Sequence, residues 1–144
     1  MDVEELMIGD IVLFCGEHVK VTSLENSGYC SSRVFIKHQD GSIWPTDHCN
    51  LEPAPLTAEI LKQNGIVKHK FAGHIEECYS RYVNPSDEQF ILWEETNRFE
   101  LVLRHIVDNL TYSALRCKVR YLHELQHALR ICGVYMEIEL PKED

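Results

Sequence analysis

The stretch from Leu115 to Gly133, LRCKVRYLHELQHALRICG, is the longest helical pattern in the chain, and whatever else forms must pack around it. At about 3.6 residues per turn, Val119, Tyr121, Leu122, Leu125, Ala128, Leu129 and Cys132 fall on one broad arc, which predicts the buried side. Arg116, Arg120, His123, His127 and Arg130 fall together on the opposite side. Gly133 stands where a left-handed C-terminal cap is expected, and Arg130 lies in the last turn, where a cation suits the helix dipole.

The same stretch holds the string His123-Glu124-Leu125-Gln126-His127, which matches H-E-x-x-H. In that pattern two histidines one turn apart bind zinc, and the glutamate takes a proton from the metal-bound water. A zinc-dependent hydrolase with His123 and His127 as ligands and Glu124 as base is therefore one reading. Three arginines on the same face oppose a dication, and metal-binding histidines need carboxylate support that this face does not promise. The third ligand is also missing from its usual places. Metzincin spacing calls for a glycine and a histidine where Arg130 and Gly133 stand, and Glu137 and Glu139 come early, on a predicted strand. Only an upstream histidine such as His74 or His105 could complete the set. The expectation is accordingly no catalytic residue, no metal and no cofactor, with zinc as the alternative.

The face of Arg116, Arg120, His123, His127 and Arg130 then reads as a binding surface, its guanidiniums suited to carboxylates or phosphates and its histidines to pH sensitivity. Protein partnership or self-association is the expected use. The chain has 14 basic and 23 acidic residues and a formal charge of −9, which argues against sequence-independent binding to nucleic acid or to an anionic membrane. A nucleic-acid accessory role through the basic face is a further alternative, weakened by the shortage of aromatics for base stacking beside it. The acidic opening, MDVEELMIGD, lacks the basic start and apolar stretch of a signal peptide, so a cytoplasmic protein is expected. Six cysteines form no C-x-x-C pair and read as buried free thiols. Asp47-His48-Cys49 hints at a metal or an activated thiol, but neighbours along a strand or turn are expected to point apart.

Strands lead the chain. Asp10–Cys15 is rich in β-formers, Gly16-Glu17 turns it into the alternating Val19–Thr22, and Arg33–Lys37 resumes after a break at Glu25–Gly28. Asp40-Gly41 is a strong hairpin signal before Ser42-Ile43-Trp44, and Pro45 confines that returning strand to an edge. Four or five such strands predict a small Src-homology-3-like barrel or a rolled antiparallel sheet over residues 1–54. Ile8-Gly9-Asp10-Ile11-Val12 suits the first strand of such a barrel.

Residues 55–144 predict an α+β half, the two together making one compact unit. Thr57 caps a short helix, Ala58–Asn64, closed by Gly65. Residues 66–88 are hard to read, with Ile75–Val83 a candidate strand. Phe90–Trp93 and Phe99–Leu103 form a hairpin around Glu95–Arg98, with Asn97 suited to a positive φ. An ambiguous loop over 104–114 precedes the long helix. Val134, Met136, Ile138 and Leu140 then alternate as a half-buried strand stopped by Pro141.

Three segments, IGDIVLFCGEHVKVTSLE (Ile8–Glu25), PLTAEILKQNGI (Pro55–Ile66) and VRYLHELQHAL (Val119–Leu129), resemble an uncharacterised family of small proteins from gut anaerobic bacteria and their phages and mobile elements. Pro55, Leu56, Thr57 and Gly65 carry one motif, and Tyr121, His123, Leu125 and Gln126 the other. The family pattern keeps His123 and Gln126 but has glutamine at Glu124 and asparagine at His127. The resemblance thus implies a phage or mobile-element origin with no assigned activity, and a zinc site would be peculiar to this member; together with the basic face, the expectation is a non-catalytic binding or assembly module in that setting.

Overall fold

The computed structural model describes residues 1–26, 32–70, 77–82, 88–107, 110–134 and 136–139. The fold is α+β, with two five-stranded antiparallel sheets, a short helix and a longer one. Contacts group the chain into two compact units. The first takes in Met1–Pro55 with Tyr121–His127, and the second takes in Leu56–Arg120 with Ala128–Glu139.

In the first unit, a 3-10 turn at Val3–Glu5 precedes β1 (Ile11–Phe14), β2 (Glu17–Asn26), β3 (Ser32–Lys37) and β4 (Ile43–Asp47). A second 3-10 turn, His48–Asn50, then leads into β5 (Leu51–Pro53). The sheet runs β4-β3-β2-β1-β5, and β4 and β5 do not pair with each other, so it is not a closed barrel. The β1–β2 connection is a two-residue turn, Cys15 (φ 49°) and Gly16 (φ 81°), both left-handed as the hairpin twist demands. Strand β2 continues through Glu25 and Asn26, where the sequence suggests a break, because Thr22 is bulged out of register with β3 and donates its hydroxyl to the Phe35 carbonyl at 3.1 Å. Such a bulge adds twist, letting one long strand curve. The Asp40-Gly41 hairpin forms as expected: Gly41 adopts φ 90°, and Asp40 accepts from the Ser42 amide at 2.8 Å. Pro45 lies on β4 at the sheet edge. Leu6, Val12, Val19, Val21, Val34, Ile36 and Leu51 form this unit's core.

In the second unit, α1 (Ala58–Gln63) starts at its predicted cap, with Thr57 Oγ1 accepting from Ile60 N at 3.3 Å. It ends at Gly65 (φ 74°), where Ile66 N donates to Leu61 O and Gly65 N to Lys62 O. That pair of bonds is a Schellman motif. Strands β6 (Val67–His69), β7 (Cys78–Tyr82), β8 (Glu88–Glu94), β9 (Phe99–Val107) and β10 (Leu110–Val119) form a sheet in reverse chain order. β7 falls within the candidate strand at Ile75–Val83. The β8–β9 hairpin is present, but Asn97 keeps a negative φ; Glu95 N donates to Arg98 O at 2.8 Å, and the two side chains pair at 2.9 Å.

Helix α2 spans Leu122–Ile131, not Leu115–Gly133. Residues 110–119, read as loop and helix, are β10. Its pairing with β9 slips between Ser113 and Leu115, and that bulge interrupts the period-two signal in the sequence. Beyond the bulge, exposed Arg116 and Lys118 alternate with Cys117 and Val119 as on any half-buried strand. The helix does end at Gly133 (φ 74°), with Val134 N donating to Leu129 O and Gly133 N to Arg130 O. The expected last strand is also absent from the described residues. Val134 and Ile138 are buried and Glu137 and Glu139 exposed, but Glu139 N donates to the Asn64 side chain at 2.9 Å rather than to a ladder. Among the described cysteines only Cys78 is buried; Cys15 and Cys49 are exposed, and Cys117 and Cys132 intermediate. No helix among the described residues is long and apolar enough to cross a membrane.

Candidate functional site

The five residues expected on one helix face lie on two elements and the link between them. Arg116 is on β10, Arg120 follows that strand, and His123, His127 and Arg130 are on α2. Their surroundings differ as well. Arg116 lies 3.7 Å from Glu100, and Lys118 pairs with both Glu95 and Glu100, which holds the Lys118 ammonium above its ordinary range. His123 is 6% exposed, so it does not face solvent.

Glu124 is occupied by the helix start. Its Oε1 accepts from the Tyr121 amide at 2.9 Å, a reach from the third helical position back to the cap residue that satisfies a donor the helix leaves open. The same segment is held from the other side: Leu122 N donates to Ala54 O at 2.8 Å, and Tyr121 bridges Pro55. The carboxylate of a hydrolase base must face a metal-bound water; this one faces backbone.

Gln126, 6% exposed, joins the helix to the entry of β1. Its Oε1 accepts from Ile11 N and its Nε2 donates to Gly9 O, both at 2.9 Å. The amide thus pairs with two strand-entry residues as a neighbouring strand would. Gly9 (φ 95°) sits in a tight turn closed by Asp10 N to Met7 O at 3.1 Å, with Asp10 Oδ2 accepting from Met7 N at 2.8 Å. That turn places the fully buried Asp10 carboxylate 2.7 Å from His127 Nε2. The atom through which a zincin would bind metal is therefore engaged by a carboxylate.

The His123 ring stacks on Tyr121 at 5.9 Å between centroids and meets the His127 ring edge-on at 5.5 Å. Its Nδ1 is buried with no hydrogen-bond partner. Burial pushes the imidazole below its ordinary pKa, opposed by the nearby Asp10 charge and reinforced by His127. The fold thus favours the neutral form of His123. Of the possible third zinc ligands, His74 lies outside the described residues, and His105 is on β9. The arrangement is a polar clasp linking Asp10, Gly9 and Ile11 to Gln126 and His127. Sequence spacing carries no sign of it, because its partners are more than a hundred residues apart.

A different trio does converge. Asp47, His48 and Cys49 do not splay: the 3-10 turn after β4 brings one potential ligand atom from each to within 4.8 Å of the others. Among the described residues this is the only group of three or more metal-capable side chains so gathered.

Sequence reasoning also gave no weight to Ile43 and Trp44. These neighbours on edge strand β4 are 54% and 56% exposed. The Trp44 ring lies 4.6 Å from that of the buried His38, which in turn meets Phe14 edge-on at 5.9 Å. His38 is fixed by Nδ1 at 3.0 Å from Glu17 Oε2, an interaction that draws the Glu17 carboxyl below its ordinary range.

No family model, curated protein or solved structure matches the chain.

Proposed function

We propose that this chain is a non-catalytic binding or assembly module, and that it meets a protein partner or a second copy of itself through the Ile43–Trp44 edge of β4. The observation that carries the reading is the exposure of two adjacent large apolar side chains on an edge strand, with the indole held against the fixed His38 ring. A Trp in a pre-set position gives large contact area at small entropic cost, and Trp is enriched where interfaces concentrate their energy. Pro45 removes a backbone donor from the same strand, so recognition rests on side chains rather than on extension of the ladder.

The other two readings have less support. H-E-x-x-H needs a glutamate that faces water and histidine nitrogens open to metal, whereas Glu124 serves the helix cap and His127 binds Asp10. Phosphate capture needs uncompensated cations, whereas Arg116 and Lys118 are paired with Glu95 and Glu100. A phage or mobile-element setting, with the cytoplasm as its place of action, completes the proposal on the strength of the family resemblance.

The test is a photo-crosslinking amino acid at position 44, compared with the same group at exposed Glu52 on β5, in cells expressing the full chain. A discrete adduct at 44 and not at 52, removed by Ile43→Lys, supports the reading, and sedimentation of the purified chain separates self-association from a second protein. Equal, diffuse labelling at both positions refutes it.

A further inference from the structure

We propose that Asp47, His48 and Cys49 form a surface site for a borderline divalent transition metal of the zinc or cobalt type. The inference is independent of the binding surface on β4's apolar residues.

The 3-10 turn supplies the geometry. Asp47 caps it, its Oδ1 accepting from Cys49 N at 3.0 Å, so the carboxylate is folded back over the turn instead of pointing away. His48 Nε2 then lies 3.8 Å from Asp47 Oδ1 and 3.8 Å from Cys49 Sγ. Tetrahedral zinc, with bonds of about 2.0–2.1 Å to nitrogen and oxygen and about 2.3 Å to sulfur, sets those two separations at about 3.4 and 3.6 Å. The observed trio is thus slightly open. Sγ is nearly equidistant from the two ring nitrogens, 3.9 Å from Nδ1, and so stands off the Nε2 lone-pair axis; closing on a metal takes a rotation of Cys49, which is exposed.

The second observation concerns the histidine tautomer. His48 Nδ1 lies 2.6 Å from the Met1 carbonyl oxygen, which can only accept, so Nδ1 is the donor there and, in the neutral ring, the lone pair is on Nε2. Metal-binding histidines are commonly held this way, with the far nitrogen donating to a backbone carbonyl. A further tie fixes the segment, the Met1 amino group donating to Leu51 O at 3.0 Å.

The donor set decides the metal. One imidazole nitrogen, one thiolate and one carboxylate suit zinc or cobalt, whereas magnesium and calcium prefer oxygen alone. Three protein ligands on an exposed turn leave a fourth position for water. On binding, the S–H bond breaks, a sulfur–metal bond forms, and the proton passes to solvent, with no change of oxidation state.

The experiment is titration of the reduced, tag-free full chain with Co²⁺, followed by Zn²⁺ competition. One equivalent of Co²⁺ should give the visible bands of tetrahedral cobalt and a thiolate-to-cobalt charge-transfer band, both removed by Zn²⁺. Cys49→Ser should abolish the charge-transfer band. His48→Gln should weaken binding at least about tenfold, since losing a ligand costs no less than losing a supporting partner. Cys15→Ser, which removes the other thiol exposed among the described residues, should change nothing. Absence of the charge-transfer band in the parent chain, or its survival in Cys49→Ser, overturns the proposal. Loss of binding in His123→Ala but not in His48→Gln overturns it too, and returns the metal to the α2 histidines.

Discussion

Replacing Gln126 by Leu tests the clasp between α2 and β1 directly. Leucine keeps the approximate size and the helix propensity, so the change removes two hydrogen bonds and little else. Their environments differ. Ile11 is fully buried, and its amide loses its acceptor outright; Gly9 is only partly buried, so water can replace the lost donor at its carbonyl. A stranded buried N–H costs about 1–3 kcal/mol, and a bond replaced by water about 1 kcal/mol, so the variant should lose about 2–4 kcal/mol. The assay is urea unfolding in a Trp93→Phe background, in which Trp44 on β4 alone reports the first unit. Hydrogen exchange at the Ile11 amide gives a local readout, expected to quicken by more than about tenfold. A stability loss below about 0.5 kcal/mol, the range of an ordinary surface substitution, or unchanged Ile11 exchange would show that the amide does not hold the strand.

Glu124→Ala should cost about 0.3–1.5 kcal/mol by opening the helix start, while Glu124→Gln, which still accepts from Tyr121 N, should stay near the parent in thermal melts. Equal loss in both would count against the cap assignment. The pKa of His123 is depressed from 6.5, so the unfolded chain binds the extra proton first as pH falls. Its contribution is fully present above pH 6.5 and is lost as pH drops through the folded-state value; His123→Leu should therefore flatten the fall in stability between neutral and mildly acid pH. A parallel pH profile for parent and variant in urea midpoints would refute this. Gly133→Ala should destabilise by about 1–2 kcal/mol in the same assay, from backbone strain alone, because φ is 74° and no atom stands within 4 Å of the added methyl. A neutral result would mean that the cap can re-form without a left-handed residue.

Where a structural feature is local, the residues themselves announced it. Thr57 and Gly65 bracket α1, Gly133 ends α2, Asp40-Gly41 turns β3 into β4, and Pro45 keeps β4 at an edge, each through a constraint acting within a few residues. The α+β class followed from the same signals. Alternation was less dependable. Leu115–Val119 satisfied a helical wheel and a strand equally well, and the bulge beside Ser113 broke the longer period-two run that would have decided between them. The Val134–Leu140 pattern had the alternation of a strand over its described residues and found no strand beside it, since a ladder needs a partner that no local pattern supplies.

The candidate site depended still more on tertiary structure. The sequence put His123, Glu124 and His127 on one helix, and that was correct. It could not say that a turn at Met7–Asp10 would deliver a buried carboxylate to His127, or that Gln126 would take the backbone groups of Gly9 and Ile11. Nor could it foresee that a single 3-10 turn would gather three consecutive side chains. A helix wheel or a strand period fixes which residues share a face. What that face meets is decided by chain segments far away in sequence, and here that decision turned a catalytic-looking string into a clasp and a bland one into a candidate metal site.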